Sequence, residues 1–273
     1  MHYLSFIGKQ LFSLASSLVA ILNLGFWMFP LIGLAVVRAL IGGFEPLYNA
    51  CTRLIELCYK TAAAINSAWM VHVMGVNFNV DGTLPDHLTQ VIVVNHQTWF
   101  DIPILQHIVT GQGPILKFVI KRQLVWLPIV GWICYALNFP RLNRGSDGRA
   151  HRQDFDAIKA ASSTMHKERG ALLIFAEGTR ITEEKHRNQN SPYKKLLVPR
   201  PGGLKIALST MPPDTPVVDI TINYKGGETN FWKCLHGANR DIDIHIEEHN
   251  AAEIIDARSW LRDRWEQKDK RLQ

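Results

Sequence analysis

Residues 91–101 read Val-Ile-Val-Val-Asn-His-Gln-Thr-Trp-Phe-Asp, and this stretch decides the fold class. Its first four residues are all apolar, which is typical of a short strand that is buried on both faces. The residues that follow, from Asp101 to Val109, predict a helix. A buried strand that leads directly into a helix indicates an α/β protein, in which helices cover the faces of a sheet.

The same alternation continues along the chain. Further strands are predicted at residues 117–120, 171–175 and 216–224, and further helices at 147–169, 203–211 and 251–271. Residues 242–248 alternate apolar and polar side chains, which predicts a half-buried strand at the edge of the sheet. We therefore expect an α/β fold with a mixed sheet flanked by helices. No internal repeat or low-complexity linker divides the chain.

The N-terminal region is unusually apolar and predicts a helical membrane element. Residues 10–37 form a run of 28 without a charged side chain, whereas a helix needs about 20 apolar residues to span a bilayer. One tilted span fits this run. Gly25, Pro30 and Gly33 could instead break it into a hairpin that dips into one leaflet. A buried core helix fits less well, because the run lacks a polar stripe.

Charges beside this run predict its orientation. Four basic residues flank it, namely Lys9 before it and Arg38, Arg53 and Lys60 after it. This bias predicts that the following domain lies on the cytoplasmic side. We expect residues 1–45 to form a hydrophobic membrane-anchoring segment. Residues 46–273 are expected to form the folded domain, with a surface helix over residues 45–78 at its start.

The composition of the whole chain leaves several classes of partner open. A formal net charge of +6 and a pI of about 9.2 suit nucleic acid, an anionic membrane or phosphate-bearing substrates. The chain has four cysteines, which are Cys51, Cys58, Cys134 and Cys234. None forms a CxxC pair, so they are interpreted as buried thiols in a reducing compartment and not as disulfides or a zinc site.

A histidine and an aspartate in the opening stretch could form a catalytic pair. His96 and Asp101 lie five residues apart, and a strand-to-helix turn can fold the carboxylate back onto the imidazole. A carboxylate on one ring nitrogen fixes the tautomer and makes the other nitrogen a better base. Spacing alone favours a simpler interpretation, a histidine that caps a helix beside a solvated Asp101.

A second polar stretch, Phe175-Ala176-Glu177-Gly178-Thr179-Arg180, follows another apolar strand. Gly178 permits a tight turn, and the guanidinium of Arg180 suits a phosphate. Glu177 could orient Arg180 or accept a substrate hydroxyl, whereas an ordinary loop with one surface ion pair is the simpler alternative. Both polar stretches occupy the carboxyl ends of strands, where α/β sheets bind ligands, and this favours a functional site.

Together these stretches resemble the glycerolipid acyltransferase family, of the lysophosphatidic acid acyltransferase (PlsC) type. The resemblance covers roughly residues 90–225 and rests first on residues 95–101 and 175–180. Two weaker blocks also match, at 139–144 and 215–220. The stretch from 177 to 186, together with 199–203, resembles the branch that includes the bacterial YihG-type proteins and the animal long-chain lysophospholipid acyltransferases. Gln97, Ala176 and Asp219 depart from the family pattern.

The resemblance implies a role for each matching residue. His96 would be the general base and Asp101 its orienting carboxylate. The residues implied to bind the glycerol phosphate of the acceptor are Arg144, Glu177, Gly178, Thr179 and Arg180. The acceptor would be a lysophospholipid, with 1-acyl-glycerol-3-phosphate giving phosphatidic acid as the first choice and another lysophospholipid as the alternative.

The resemblance also implies the partners of the chain. The co-substrate would be acyl-CoA or acyl-carrier protein, with no metal, no other cofactor and no nucleic acid. The expected location is the bacterial inner membrane, where the chain contacts membrane lipid. The sequence makes no prediction of the oligomeric state.

Three other features compete for a function. Residues 245–249 have the HxxEH spacing of a zinc protease motif, but that motif needs a helix and these residues predict a strand. The basic segment 185–200 fits a solvated surface as well as a site for donor phosphates or lipid headgroups. Residues 123–138 fit a core loop as well as a membrane-contacting or acyl-lining segment. A zinc hydrolase and a basic binding protein for lipid or nucleic acid are therefore alternative hypotheses.

Overall fold

The predicted alternation of strands and helices is present in the structure, a computed structural model that describes residues 2–41, 44–87, 89–111, 113–137, 139–142, 152–153, 155–160 and 170–273. Its helices are α1 (His2–Ile41), α2 (Glu45–Ala68), α3 (Asp101–Leu105), α4 (Val130–Ala136), α5 (Glu183–Asn188), α6 (Gly202–Thr210), α7 (Phe231–Cys234) and α8 (Ala257–Arg271). Its strands are β1 (Asn77–Asp81), β2 (Gln90–Val94), β3 (Ile115–Phe118), β4 (Ile120–Lys121), β5 (Arg141–Leu142), β6 (Gly170–Phe175), β7 (Pro216–Tyr224) and β8 (Asp241–Asn250). Short π-helical turns extend α2 over Trp69–Val73 and α3 over Gln106–Thr110.

The described strands form a six-stranded sheet in the order β1-β8-β7-β2-β6-β3, and the predicted mixed sheet is confirmed. Strands β2, β3, β6 and β7 are parallel to one another, while β8 runs antiparallel to β7. Strand β2 lies between β6 and β7. The carboxyl ends of these three strands therefore meet at one edge of the sheet, after Val94, Phe175 and Tyr224. Strands β4 and β5 form a separate parallel pair.

Helices cover both faces of this sheet. Ile92 and Val94 of β2 pack with α3 in one apolar cluster, whereas Val91 and Val93 pack with α6 and α8 in another. All four side chains are fully buried. This burial on both faces explains the uninterrupted apolar run at residues 91–94. The polar residues after Val94 are the first that lie at the edge of the sheet, where the cavity can reach them.

Two predictions about the outer strands are wrong. The helix predicted over 45–78 ends earlier, because β1 begins at Asn77 and pairs with β8. Strand β8 is consequently covered by β1 and is not an edge strand. Its alternating pattern reflects a single buried face, with Ile242 and Ile244 turned into the core, and a strand with neighbours on both sides can show the same pattern.

The other elements lie close to their predicted places, apart from one helix that falls largely outside the described residues. Strand β7 spans the predicted residues, β6 and α6 each start one residue early, and the strand predicted at 117–120 is divided between β3 and β4. The terminal helix α8 begins at Ala257. Most of the helix predicted at 147–169 lies outside the described residues, and its described parts, 152–153 and 155–160, are helical.

Helix α1 runs unbroken through Gly25, Pro30 and Gly33, so the hairpin within residues 10–37 does not form. The part from Ser5 to Ile41 is long and apolar enough to cross a membrane by length and composition. Few of its described side chains are buried, since α1 packs by only one side against α2 and the domain.

Candidate active site

The predicted pair of side chains meets at the end of β2. His96 Nδ1 lies 2.8 Å from Asp101 Oδ2, and Asp101 is fully buried. The same carboxylate oxygen accepts the backbone N–H groups of Gln97 and Thr98 at 2.7 and 3.0 Å. The loop therefore folds around the carboxylate, which explains how residues five apart come into contact. With Nδ1 donating to Asp101, Nε2 is the ring nitrogen left for a substrate.

A tyrosine that sequence analysis missed completes this arrangement. The hydroxyl of Tyr224, at the end of β7, donates to Asp101 Oδ1 at 2.7 Å. Burial, followed by the nearby Asp101 carboxylate, raises the pKa of Tyr224 well above its ordinary value, so the phenol stays a neutral donor. Both oxygens of Asp101 are thus occupied.

Strand β7 also fixes the loop that carries His96. The side chain of Asn95 accepts from the N–H of Ile222 at 2.9 Å and donates to the carbonyl of the same residue at 3.0 Å. Gln97 Nε2 donates to that carbonyl at 2.6 Å. Two amide side chains therefore replace the strand pairing that ends at Val94, and they hold His96 at the sheet edge.

Glu177, for which the family resemblance implies a role in binding the acceptor, faces the interior. Its side chain is 1% exposed. One oxygen accepts the N–H of His96 at 3.0 Å, and the other accepts the N–H of Leu197 at 2.9 Å. Burial raises the pKa of Glu177 to about 8, although the two N–H groups partly oppose this. The carboxyl group braces the backbone beneath the imidazole.

The residues after Glu177 do reach the site. Gly178 has a φ of +71°, a conformation that a glycine adopts without strain. Thr179 Oγ1 accepts a hydrogen bond from Lys185 Nζ at 2.8 Å. The N–H of Ile181 donates to the carbonyl of His96 at 3.0 Å, which ties the two polar stretches together. Arg144 lies outside the described residues.

Aromatic rings hold the imidazole and the arginine. The ring of His96 stacks on Phe175 at 3.8 Å between centroids and meets the edge of Trp99 at 6.4 Å. The guanidinium of Arg180 lies 4.5 Å from the centre of the Trp99 ring, a cation–π contact. Trp99 therefore links the candidate base to the candidate phosphate ligand.

The imidazole opens into a large apolar cavity of about 1060 Å³. His96, Thr179 and Arg180 line it where the strands end, and it continues among side chains of α1, α2 and α4. Such a cavity suits long hydrocarbon chains, because almost all of its far walls are apolar.

Residues 123–138, for which two interpretations were open, serve both the cavity and the outer surface. Leu127 and Ile133 line the cavity. Trp126, Trp132 and Tyr135 are exposed, with Trp126 at 84%. The segment therefore has an inner face suited to acyl chains and an aromatic outer face.

The zinc protease motif does not form the helix that it requires. His245 and His249 lie on strand β8, as predicted. The ring nitrogens of His245 contact Asp81 and Glu247, each at 2.7 Å. Within the described residues, no group of three or more His, Cys, Asp or Glu side chains is placed to hold a metal ion.

Comparison with known proteins identifies similar acyltransferases. A family model described as Acyltransferase matches residues 76–223. The 1-acyl-sn-glycerol-3-phosphate acyltransferase gamma of Mus musculus is 26% identical over 202 residues, covering 66% of this chain and 51% of its own. The probable 1-acyl-sn-glycerol-3-phosphate acyltransferase 5 of Arabidopsis thaliana is 26% identical over 201 residues, covering 66% and 52%. The chain spans about half the length of the curated relatives it matches.

A solved structure shares the fold. The 1-acyl-sn-glycerophosphate (LPA) acyltransferase PlsC from Thermotoga maritima matches with a TM-score of 0.60 at 20% identity, covering 100% of this chain and 98% of that one. The family match takes in more than half of the chain, including the His96–Asp101 pair and the loop from Glu177 to Arg180. This chain therefore belongs to the Acyltransferase family.

Proposed function

We propose that this chain transfers a fatty acyl group from a thioester donor to the hydroxyl of a lysophospholipid. The observation that carries the proposal is the His96–Asp101 pair, which opens into an apolar cavity beside Arg180. The preferred acceptor is 1-acylglycerol 3-phosphate, which would give phosphatidic acid. The curated relatives carry that activity in their names, and an arginine at the cavity suits the acceptor phosphate.

The chemistry needs one base and no residue that forms a covalent intermediate. The acceptor hydroxyl oxygen attacks the carbonyl carbon of the thioester while its proton passes to His96 Nε2. The new C–O bond forms, and the tetrahedral intermediate then expels the thiolate as the C–S bond breaks. His96 Nε2 returns the proton to the thiolate sulfur. Asp101 stabilises the transient imidazolium through its bond to Nδ1.

The remaining residues are proposed either to bind the acceptor or to hold His96 in position. Arg180, with Thr179 and the backbone at Gly178, is proposed to bind the acceptor's glycerol phosphate, and Arg144 keeps the same proposed role. Glu177 is proposed to act through its bond to the N–H of His96 and not by touching substrate. The stretch from 177 to 186 supports a place in the YihG-like and long-chain lysophospholipid acyltransferase branch.

We propose that α1 lies along a membrane surface instead of crossing it. Its polar side chains face the domain: Ser13 donates to the carbonyl of Trp232 at 2.8 Å, and Asn23 donates to Asn66 at 2.8 Å. Further along the helix, Leu31 is buried against α2 and α4. Because α1 is attached to the domain along its length, a perpendicular span would draw the domain into the bilayer.

The proposed location is the inner membrane of a bacterium, with the domain in the cytoplasm. A membrane-impermeant thiol reagent tests the orientation of α1 in sealed vesicles. Cysteines introduced at Ser5 and at Lys270 should both react from the same side. Labelling from opposite sides would show that α1 crosses the membrane.

The activity is tested with membranes that contain the protein, labelled acyl-CoA or acyl-carrier protein, and a panel of lysolipids that differ in headgroup. We expect acylation of 1-acylglycerol 3-phosphate by the wild-type chain and none by His96→Ala. Arg180→Ala should raise the KM for the phosphate-bearing acceptor. Equal activity of wild type and His96→Ala would refute the proposed function, and preference for another headgroup would change the acceptor alone.

A further inference from the structure

Arg200 stands out from the rest of the basic segment because it lines the cavity that contains His96. Its backbone N–H donates to the carbonyl of Ala176 at 2.7 Å, which fixes it beside the end of β6. Its side chain lies against the turn at Gly178, where an added methyl group would come within 3.5 Å of Arg200 Cδ. Arg187 belongs to the same basic segment but does not line this cavity.

Arg180 and Arg200 approach the cavity from opposite faces of the sheet. Arg180 rests on Trp99, which precedes α3. Arg200 leads into α6, where Gly203 packs against Ile174. Helices α3 and α6 belong to the two apolar clusters that cover the two faces of β2. The Gly178 turn, which ends β6, therefore has one arginine on each side.

The two arginines also differ in depth and in partners. Arg180 is half-buried and held by Trp99, whereas Arg200 is exposed at the rim. Among the described residues, the guanidinium of Arg200 has no acidic partner and no side-chain hydrogen bond, so its planar set of donors is available to a phosphate.

The proposed reaction brings two phosphate-bearing substrates into one cavity. In the acceptor, the phosphate is on the carbon next to the one that bears the reacting hydroxyl, so it must lie close to His96. In the donor, a pantetheine arm separates the thioester from the nearest phosphate, which must therefore lie further out. The half-buried Arg180 suits the nearer phosphate, and the exposed Arg200 suits the outer one.

We propose that Arg200 binds a phosphate of the acyl donor while Arg180 binds that of the acceptor. This inference rests on the proposed function. The donor phosphate has two sources, since both coenzyme A and the prosthetic group of a carrier protein carry a pantetheine phosphate. The chemistry at Arg200 is the same for both.

The test compares Arg200→Ala with Arg180→Ala and with Arg187→Ala as the control. Loss of a charged hydrogen bond to phosphate should raise the relevant KM roughly 10- to 100-fold. Arg200→Ala should raise the KM for the donor and leave that for the lysolipid unchanged, and Arg180→Ala should do the reverse. Arg187→Ala should change neither KM. Arg200→Gln repeats the test with a side chain closer in size, in case the alanine variant folds poorly.

A binding measurement separates this inference from the proposed function. Titration of the intact protein with unacylated coenzyme A should show weaker binding for Arg200→Ala than for Arg187→Ala. A matching increase in KM for acyl-CoA and acyl-carrier protein would assign Arg200 to the shared phosphate, and an increase for acyl-CoA alone would assign it to the nucleotide phosphates. If the wild type transfers acyl groups while Arg200→Ala leaves both donor KM values and coenzyme A binding unchanged, the inference fails and the function stands.

Discussion

Among the described residues of the candidate site, the carboxylate of Asp101 accepts the most hydrogen bonds. Its two oxygens accept from the imidazole of His96, from two backbone N–H groups and from the hydroxyl of Tyr224. Such a set of donors stabilises a buried carboxylate and fixes its plane. The imidazole that it orients can then present Nε2 to the cavity in one direction only.

The hydroxyl of Tyr224 should matter for turnover and not for substrate binding. In Tyr224→Phe, Asp101 Oδ1 loses its donor in a buried site, which costs about 1–3 kcal/mol and allows the carboxylate to turn. We expect kcat to fall about tenfold, the equivalent of about 1.4 kcal/mol in the barrier, with KM unchanged. Steady-state kinetics at saturating and limiting acceptor measure both quantities.

Tyr193 supplies the control, because it is also buried and its hydroxyl makes no hydrogen bond with the described residues. Tyr193→Phe should leave kcat within a factor of about two, consistent with a small change in surroundings. A kcat that is normal in Tyr224→Phe would remove Tyr224 from the catalytic arrangement.

Glu177 should make the stability of the fold depend on pH. Its pKa is about 8 in the folded chain against an ordinary value of 4.5. Between these values the folded state keeps a proton that the unfolded state has released, so the free energy of unfolding falls as pH rises from about 4.5 to 8. Glu177→Gln cannot ionise, and its amide leaves one backbone N–H without an acceptor.

We therefore expect Glu177→Gln to be less stable than wild type at pH 5, by about 1–3 kcal/mol. The difference should shrink toward pH 8, because only the wild type is destabilised by ionisation. Urea unfolding at pH 5, 6.5 and 8 measures it. Glu248→Gln, an exposed glutamate on β8, should follow the wild-type curve. A difference that stays constant with pH would show that Glu177 is ionised throughout.

The sequence predicts contacts between residues that are close along the chain. It does not predict contacts that form only when distant strands pair in the sheet. His96 and Asp101 are close in sequence, so a strand-to-helix turn is enough to join them. Tyr224 is 123 residues from Asp101 and becomes its neighbour only because β7 pairs with β2. Nothing in the residues around Tyr224 signals this contact, because the sequence of a single strand does not show which strands lie beside it in the sheet.

At the scale of the elements, a buried ion pair joins the terminal helix to the central sheet. Lys268 of α8 lies 2.7 Å from Asp219 of β7 and donates to the carbonyl of Ile220 at 2.6 Å. Burial lowers the pKa of Lys268, and Asp219 opposes this shift. Asp219 was one of the departures from the family pattern, and the structure turns it toward α8 and away from the candidate site.

Removal of one partner should destabilise the fold strongly. Lys268→Met leaves the carboxylate of Asp219 buried without a counter-charge, and breaking such a pair costs about 3–5 kcal/mol. The double variant Lys268→Met with Asp219→Val should recover most of this loss, because it leaves no buried charge. Chemical unfolding measures the three free energies. Lys270→Met, on the exposed side of the same helix, is the control.

A double variant as unstable as the single one would show that the hydrogen bonds from Lys268 to the carbonyl of Ile220 and the hydroxyl of Thr221, and not the ion pair, hold α8 in place.

Elements with strong apolar patterns were predictable, and weak ones were not. Strands β2 and β6 are almost wholly buried and their sequences are nearly continuous apolar runs, while β7 is equally buried and keeps apolar residues at most of its positions. Strand β1 reads Asn-Phe-Asn-Val-Asp, which alternates polar and apolar residues over only five positions, and most of its residues are exposed. Strand β1 forms because the edge of β8 that faces away from β7 can pair with it. Its omission from the sequence-based assignment caused the wrong edge prediction for β8.

At the scale of the whole molecule, the cavity is enclosed partly by loops of the sheet and partly by helices. Its polar end is built from loops at the sheet edge, and its apolar walls come from α1, α2 and the segment before α4. The outer sides of the same walls carry exposed apolar residues, including Leu18 of α1 and Trp126. A lipid could therefore pass from a bilayer on one side of these walls to the imidazole on the other.

The outward face of α1 should provide much of the membrane affinity. Leu14, Leu18 and Leu22 are four residues apart on one face and are 57%, 52% and 62% exposed. Full burial of a leucine contributes about 1.5–3 kcal/mol, so replacing all three with glutamine should weaken binding to lipid vesicles by well over tenfold. The contacts that α1 makes through Ser13 and Asn23 lie on its other side, so the fold should persist.

Flotation of the purified protein with vesicles of anionic phospholipid measures this affinity. Ile255→Gln is the matched control, because Ile255 is 97% exposed but lies in the connection that follows β8, away from α1. It should float with the vesicles as the wild type does. Equal flotation of the triple variant would mean that the leucines of α1 do not face lipid. The attachment would then have to come from elsewhere, and the exposed Trp126 and Trp132 would be the next side chains to replace.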